Sequence, residues 1–366
     1  MNYQNIISKF FQNKHGNSNP FQKCDIKISN RYIRIKEFLM KDGFNGFCSD
    51  DLFIMQFIKK GWGQDIAALS NMAEAMVNLS IKNPTELEYK VLMKQIVYRA
   101  LHPKVNPYKK NITKVGNLGK FGYYLEHLNI ILGCYHQVVD SSYLELNERV
   151  TLHLLKSSMM HSDFHADLLP YSKMKWSADQ AAIIYSIWLF DKNNSTNHAN
   201  QLIEKWTAFM NKNQKHSGTE LYKTEVVGIK KYSNQPRGCA LAYLIHYMHR
   251  FAQEDAISQW NLFKKNMQVN VMGIDGYREY LKSYDGNWTP DSGPIIKGLG
   301  IAATGLALNA SSTVGDIATY KSLEKGMTKV YKYFKKGDYI PGLNMVTRIG
   351  TDLLASSIWL NAETKL

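Results

Sequence analysis

The 366-residue chain is long enough for one large domain or for two or three ordinary ones, and its 45% hydrophobic content supplies a large core. The formal net charge of +14 is scattered along the chain and is not massed on one helix, so we expect a solvated basic surface and no nucleic-acid partner. Because no apolar run reaches about 18 residues and the N-terminus lacks a secretory leader, we expect a cytoplasmic protein without a membrane span.

The cysteines and histidines do not form a metal-binding pattern. Cys24, Cys48, Cys134 and Cys239 lie far apart, with no CxxC pair and no zinc-type histidine spacing. Cys134 and Cys239 fall inside apolar helical runs, where a free thiol packs as a small hydrophobe. The HSDFH segment at 161–165 brings two histidines four residues apart but lacks a third ligand. We therefore expect neither a metal nor a cofactor.

Helical periodicity dominates the chain after an irregular N-terminal segment at 1–48. Apolar residues recur at three- and four-residue spacing in one segment after another. Asn83-Pro84 is typical of a helix start with proline in the first turn, and 224–232 is typical of a short β-ribbon. The predicted helices cover 50–60, 63–80, 84–101, 119–139, 142–160, 177–191, 196–213, 238–253, 254–267, 293–310, 313–334 and 345–362.

The links between these helices are alternately short and long. Short links join helices in pairs. The long links carry Gly, Trp, Tyr and charged residues, and they cover 102–118, 161–176, 214–237 and 268–292. This alternation predicts an all-α fold, an (α/α)6 toroid occupying 49–366 as a single domain, with the long links gathered on one face. Ligand sites belong on such a face. A two-layer α-solenoid is the alternative, although no repeat of fixed period is present.

Polar groups collect where the apolar helices begin. Glu126 and His127 are adjacent and therefore point about 100° apart on a helix, so we expect one of them to face the pocket, beside Tyr123 or Tyr124. Each is also explained by a satisfied structural hydrogen bond.

Asp179 falls in the first turn of an otherwise apolar helix, just after Tyr171 and Trp176. A carboxylate there either stabilises the helix end or serves as a base beneath the tryptophan.

Two further segments supply charged groups. Arg237 directly precedes a buried helix, where the helix dipole disfavours a cation, so it needs a carboxylate partner or an anionic ligand. Asp179, Glu279 and Asp291 are its candidate partners, and Asp291 is equally a candidate helix cap. The residues that we expect to bind substrate are Tyr124, Glu126, Trp176, Arg237, Arg278, Glu279, Trp288 and Asp291.

Three segments match a known family. They are GYYLEHLNIILGCYHQVVDSSYLE at 122–145, DQAAIIYSIWLFDKNNST at 179–196, and YREY at 277–280 with the Gly-rich helix that follows and ends at 314–316. Through these segments, residues 115–317 resemble the linalool dehydratase/isomerase-like family of (α/α)6 proteins. The resemblance implies a toroid whose mouth is lined by a histidine, several tyrosines and an aspartate, and it places His127 at the family's histidine.

The resemblance also implies a difference in chemistry. The enzyme after which the family is named has two cysteines proposed as acid and base. At the corresponding positions this chain has Asp179 for one cysteine and a residue near Pro170 or Tyr171 for the other. What is implied is an acid/base pocket of carboxylates, tyrosine and histidine without that cysteine mechanism.

The favoured hypothesis is an enzyme of the lyase or isomerase type that acts on a small hydroxylated substrate. Asp179 would be the base, and His127 or Tyr171 the acid or orienting group. Two alternatives stay open, namely a glycoside hydrolase or polysaccharide lyase acting on a saccharide and a non-catalytic toroid that binds a ligand or a protein. Catalysis predicts Asp179 and a second acid or His127 within about 10 Å across one cavity. Homo-oligomerisation is left open.

Overall fold

The computed structural model describes residues 29–41, 64–227, 235–284, 286–287, 289, 292–335 and 353–366, with side chains to residue 329 in the penultimate helix. Twelve α-helices lie within these ranges. They are α1 (Asn30–Met40), α2 (Gln64–Lys82), α3 (Glu88–Leu101), α4 (Gly122–Val138), α5 (Leu144–Met159), α6 (Ser177–Asn194), α7 (Ala199–Asn213), α8 (Gly238–Met248), α9 (Gln253–Met267), α10 (Ile301–Thr313), α11 (Ile317–Lys335) and α12 (Leu353–Thr364).

The even-numbered helices form a closed inner ring. Helix α2 packs against α4, α4 against α6, α6 against α8, α8 against α10, α10 against α12, and α12 back against α2. The odd-numbered helices lie outside this ring, each packed on inner neighbours, with α1 lying against α12 and α3. The predicted (α/α)6 toroid is confirmed, and the closure between α12 and α2 excludes an open solenoid.

Inner and outer helices differ in how much of their circumference is apolar. Nearly every residue of α6 from Ser177 to Asp191 is buried, because this helix has neighbours on all sides. Outer helix α7 instead buries one stripe, consisting of Ala199, Leu202, Trp206 and Met210. A stripe at this spacing occupies one face of a helix, which here faces the ring.

Three short antiparallel hairpins and ribbons occupy the long links. Their pairs are β1 (Lys175–Trp176) with β2 (Glu225–Val227), β3 (Gln268–Val271) with β4 (Ile274–Tyr277), and β5 (Ile295–Ile296) with β6 (Leu299–Gly300). The β-ribbon predicted at 224–232 is present as β2 in its described part, and its partner lies just before α6.

Three predicted helix starts are wrong by four residues or more. The helix predicted from residue 313 begins at Ile317, because α10 continues to Thr313. The helix predicted from residue 293 begins at Ile301, because the β5–β6 hairpin occupies 295–300. Gly298, with φ of +85°, lies in its turn, and Gly293, with φ of +57°, lies just before it. A Cβ atom at Gly298 would also lie 2.4 Å from the Arg278 Nη1 atom. The helix predicted from Pro84 begins at Glu88, after a turn at 83–87.

Two predictions concern the N-terminal part of the chain. The helix predicted at 50–60 lies outside the described residues. The division into 1–48 and 49–366 stays a prediction, although α1 falls inside the first segment and packs on the toroid. Among the described helices, none combines the length and the apolar character needed to cross a membrane.

Candidate active site at the N-terminal ends of the inner helices

The long links and the starts of the inner helices lie at one end of the ring. Because inner and outer helices alternate along the chain, the inner helices run in the same direction and begin on the same face. The links that enter inner helices cover 102–121, 160–176, 214–237 and 268–300, whereas those that leave them are only three to five residues long, at 83–87, 139–143, 195–198, 249–252 and 314–316. The predicted gathering of the long links on one face is therefore present.

Glu126 lies in the second turn of α4 and is fully buried. Its Oε1 atom is 3.5 Å from the Tyr243 hydroxyl, and its Oε2 atom has no hydrogen-bond partner among the described residues. Burial raises the pKa of Glu126 well above its usual value, and the negative charge of Asp179 raises it further. The surroundings of Glu126 therefore favour its protonated form.

His127 is buried beside Glu126 and makes two hydrogen bonds across the ring. Its Nδ1 atom is 2.7 Å from Ser70 Oγ on α2, and its Nε2 atom is 3.2 Å from the Tyr243 hydroxyl on α8. The Tyr123 ring packs edge-on at 5.0 Å between centroids. Burial lowers the pKa of His127 to about 3, so its imidazole is neutral at neutral pH.

Asp179 is the third residue of α6 and is partly exposed. The amide dipoles at a helix N-terminus favour its ionised form. Its charge raises the pKa of both Glu126 and Tyr243, and α6 packs against both α4 and α8, the helices that carry these two groups. Trp176 is the N-cap residue of α6 and belongs to β1, three residues before Asp179 in the chain.

Tyr171 lies in the link that enters α6 and is 65% exposed. The neighbouring residues Leu169 and Ser172 form an isolated antiparallel bridge, which bends the chain at this point. Its expected role as the acid or the orienting group stays a prediction.

Arg237 and Glu279 form the structural ion pair that the sequence offered as one alternative. The Arg237 Nε atom donates to Glu279 Oε1 at 2.9 Å, and Nη2 donates to the Thr289 hydroxyl at 2.7 Å. The other Glu279 oxygen accepts from the Cys239 amide at 3.1 Å, and the Cys239 thiol lies 3.0 Å from Oε1. Gly238 permits this arrangement, because a Cβ atom there would lie 2.0 Å from the Arg278 carbonyl oxygen.

The remaining expected site residues are less central. The Tyr124 hydroxyl donates to the Ala100 carbonyl oxygen of outer helix α3 at 3.0 Å, so its side chain is directed away from the ring axis, and Tyr123 lies beside His127 instead. Arg278 is half-buried against the β5–β6 hairpin. Trp288 and Asp291 lie outside the described residues.

Sequence reasoning missed the partners that other inner helices contribute. Ser70 and Tyr243 contact His127, and deeper in the ring Glu74 Oε2 accepts from Asn361 Nδ2 at 2.8 Å and lies 3.3 Å from His246 Nε2. A usable signal was present, because these polar residues recur at three- or four-residue spacing within apolar inner helices.

Similarity to known proteins is confined to the fold. No protein-family model matches the chain, and no curated protein matches it. A solved structure of an α-1,6-mannanase of glycoside hydrolase family 76 from Salegentibacter sp. HEL1_6 aligns with 81% of this chain and 88% of that chain, at a TM-score of 0.52 and 10% identity.

Two further structures have a similar fold. An inactive variant of the same mannanase, in which two adjacent aspartates are replaced by asparagine, binds α-1,6-mannotriose and aligns with 82% of this chain and 89% of that chain, at a TM-score of 0.50 and 12% identity. A family 76 mannosidase from Bacteroides thetaiotaomicron VPI-5482 aligns over 82% and 86%, at a TM-score of 0.49 and 11% identity.

These comparisons correct the favoured hypothesis. The resemblance to the linalool dehydratase/isomerase-like family correctly predicted the toroid, but the interpretation as a lyase or isomerase is wrong, because the matched structures are glycoside hydrolases. The glycoside hydrolase alternative fits these findings better.

Proposed function

We propose that this chain is a glycoside hydrolase that acts on a neutral saccharide, with Glu126 as the general acid and Asp179 as the second carboxylate. The observation that carries the proposal is the placement of two carboxyl groups near the N-terminal ends of two inner helices that pack together: Glu126 of α4 is fully buried, which raises its pKa, and Asp179 of α6 is partly exposed at its helix N-terminus. Two carboxyl groups in opposite protonation states are what glycoside hydrolysis requires.

The two groups would divide the reaction between them. Glu126 would donate its proton to the glycosidic oxygen as the bond to the leaving sugar breaks. Asp179 would either remove a proton from the attacking water or attack the anomeric carbon itself, according to the separation of the carboxyls with substrate bound. His127 is neutral and buried behind Glu126, so we assign it a positioning role and give the acid role to Glu126.

The charge distribution favours a neutral sugar over a uronic acid. The neighbour with the largest electrostatic effect on Glu126 is the anion Asp179, and Arg237, which was a candidate for binding an anion, is occupied by Glu279. A carboxylated sugar would therefore be repelled by Asp179 without compensation from Arg237. The tyrosines and Trp176 near the site can pack against the apolar face of a sugar ring.

The similarity to the mannanase supports the same class of reaction and shows one difference. That enzyme is inactivated by replacing two adjacent aspartates. Here the two carboxyls lie on successive inner helices, α4 and α6. Neither is followed in the chain by a second carboxylate, because His127 follows Glu126 and Gln180 follows Asp179. We therefore treat α-1,6-mannotriose as one member of a substrate panel.

The experiment is an assay of released reducing ends with neutral oligosaccharides, α-1,6-mannotriose among them, and with uronic acid oligosaccharides as the contrasting set. We expect turnover of a neutral substrate only. Glu126→Gln and Asp179→Asn should each lower kcat at least about 100-fold, the usual loss for a general acid or base. Proton NMR of the first product anomer would then distinguish water attack from a covalent intermediate.

The matched control is Glu204→Gln, which changes an exposed glutamate on outer helix α7 and should leave kcat within twofold. Full activity of the Glu126→Gln enzyme would refute the assignment of the acid. The protein could instead bind sugars of the panel without hydrolysing them, with an affinity that neither Glu126→Gln nor Asp179→Asn changes. That result would refute the enzyme and support a non-catalytic binding toroid.

A further inference from the structure

One of the long links at the mouth of the ring concentrates positive charge. The link at 102–121, which we call the basic link, enters α4 and contains five lysines and no aspartate or glutamate. The other long links, at 160–176, 214–237 and 268–300, each contain at least two acidic residues. The basic charge of the chain is therefore not massed on a helix but gathers on this link, at Lys104, Lys109, Lys110, Lys114 and Lys120.

The backbone of the basic link is held in place from the protein side, and all five lysines are exposed. Arg149 of α5 donates to the carbonyl oxygens of Ile112 at 2.6 Å and Val115 at 3.2 Å. The Tyr108 hydroxyl donates to the Leu118 carbonyl oxygen at 2.6 Å. Because these bonds order the backbone in advance, a partner that binds the lysines does not bear the cost of ordering the link.

Outer helix α5 extends the basic surface. Its residues Arg149, His153 and Lys156 follow one another at four- and three-residue spacing, so they lie on one face of the helix. This face is turned towards the basic link, since His153 Nε2 lies 2.9 Å from the Gly119 carbonyl oxygen. The two glutamates of α5 both precede Arg149 in the chain.

Two histidines report the electrostatic potential at this surface. Burial lowers the pKa of His102, and the positive charges of Lys104 and Arg99 lower it further. Burial also lowers the pKa of His153, and two basic residues of α5 add to that effect, against a hydrogen bond to the backbone that raises it. A positive potential disfavours the imidazolium form, so the contributions of these charges have the sign that such a potential produces.

The uncharged side chains of the basic link indicate the class of its partner. No large hydrophobic residue between 102 and 121 is exposed. A surface that enters a membrane needs apolar side chains, and one that binds a single-stranded nucleic acid needs exposed aromatic rings on which bases stack. The exposed uncharged side chains here include Asn111, Thr113 and Asn117, whose amides and hydroxyl can hydrogen-bond to sugar hydroxyls. All five cations are lysines, whereas arginine is the residue favoured for nucleic-acid phosphates.

We propose that the basic link is a docking surface for an acidic glycan, a saccharide chain that carries anionic groups along its length. The inference rests on the proposed function where it takes the partner to be a saccharide. The link leads directly into α4, which carries Glu126, so a glycan held there lies at the entrance of the site. Asp179 repels an anion in the site itself, so the acidic groups stay on the link while a neutral sugar of the same chain enters.

The test is binding of the full chain to dextran sulfate over a series of salt concentrations, with uncharged dextran as the matched polymer. We expect dextran sulfate to bind at least about tenfold more tightly than dextran, with an affinity that falls as salt rises, because binding releases counterions. Vesicles of phosphatidylcholine and phosphatidylserine in equal parts and a single-stranded oligothymidylate are the rival partners. Tighter binding to either rival than to dextran sulfate would overturn the assignment to a glycan.

Charge substitutions separate this surface from the net charge of the protein. Two of the lysines have partners within the chain, since Lys120 Nζ lies 3.1 Å from Asp167 Oδ2 and Lys109 Nζ donates to the Pro103 carbonyl oxygen at 3.1 Å. The variant therefore changes the other three, combining Lys104→Gln, Lys110→Gln and Lys114→Gln.

The matched control removes the same charge from exposed positions on outer helices α7, α9 and α11, combining Lys212→Gln, Lys265→Gln and Lys321→Gln. In the variant of the link we expect the affinity for dextran sulfate to fall at least about tenfold, and the salt slope to fall by about one for each lysine removed. The control should stay within about twofold. Equal losses in both variants would show that binding follows net charge alone and would overturn the proposal.

Binding and turnover are measured separately, so the two proposals fail in distinguishable ways. A neutral trisaccharide carries no group for the lysines, so the variant of the link should hydrolyse it with an unchanged kcat. If the chain binds dextran sulfate through the link but hydrolyses no sugar of the panel, the proposed function fails and the docking surface stands. If it hydrolyses a neutral sugar but does not bind dextran sulfate, the docking surface fails and the proposed function stands.

Discussion

Replacing Arg237 by methionine should destabilise the fold strongly, because it leaves Glu279 as an unpaired charge in the core. Glu279 is fully buried and the Arg237 side chain is 6% exposed, so water screens the pair very little. Removing one member of a buried, hydrogen-bonded ion pair costs about 3–5 kcal/mol in free energy of unfolding. With an unfolding entropy of about 2.1 cal/mol/K per residue over 366 residues, 4 kcal/mol corresponds to a fall in Tm of about 5 °C.

The assay is urea unfolding of R237M, with R237M/E279L as the second member of the cycle. The double variant should recover much of the lost free energy, because apolar side chains of similar volume replace both charges. Lys215→Met is the control, since Lys215 and Glu220 are 3.8 Å apart and both well exposed, and we expect a change within about 0.5 kcal/mol.

The pH dependence of R237M provides an independent test. Burial raises the pKa of Glu279, whereas Arg237 lowers it, so removing Arg237 raises it further. The folded variant then takes up a proton at a higher pH than the unfolded chain, whose glutamates titrate near 4.3. Its stability is lost as pH rises through the folded pKa. The loss in free energy of unfolding of R237M, relative to the unsubstituted protein, should therefore shrink on acidification from pH 8 to pH 5. A deficit below about 1 kcal/mol, or one that grows on acidification, would refute this reasoning.

Three further substitutions test placements of single side chains. Tyr124→Phe removes the hydrogen bond to Ala100 and should cost about 1 kcal/mol in urea unfolding, with kcat unchanged because the hydroxyl is directed outward. Gly133→Ala should cost about 1–3 kcal/mol by overpacking, since its Cβ atom would lie 2.7 Å from Leu189 Cδ2, and a shorter side chain at position 189 should restore stability. Tyr171→Ala should leave stability within about 0.5 kcal/mol, and a raised KM with an unchanged kcat would show that the exposed ring contacts the sugar.

Local periodicity was sufficient to predict most of the helices. The apolar residues of α4, α6 and α8 identify buried helices, and their alternation with short and long links predicts paired layers. The eight residues before Ile301 were misassigned because two glycines with positive φ allow a hairpin where the apolar pattern alone permits a helix.

The composition of the candidate site was only partly accessible from the sequence. Its residues Glu126, His127 and Asp179 were found because they interrupt apolar helices near their starts. Ser70 and Tyr243 were not found, although each recurs at three- or four-residue spacing with another polar residue of its helix, namely Glu74 and His246. That spacing places two polar residues on one face of a helix but does not identify their partner on another helix.

The sequence by itself determined the helices, their order and which of their ends carry polar groups, since these depend on contacts within about four residues. Only the tertiary structure decided that Arg237 pairs with Glu279, that Tyr123 and not Tyr124 lies beside His127, and that burial raises the pKa of Glu126. Each of these outcomes depends on groups from different helices that meet when the ring closes, and burial there determines which charges can exist.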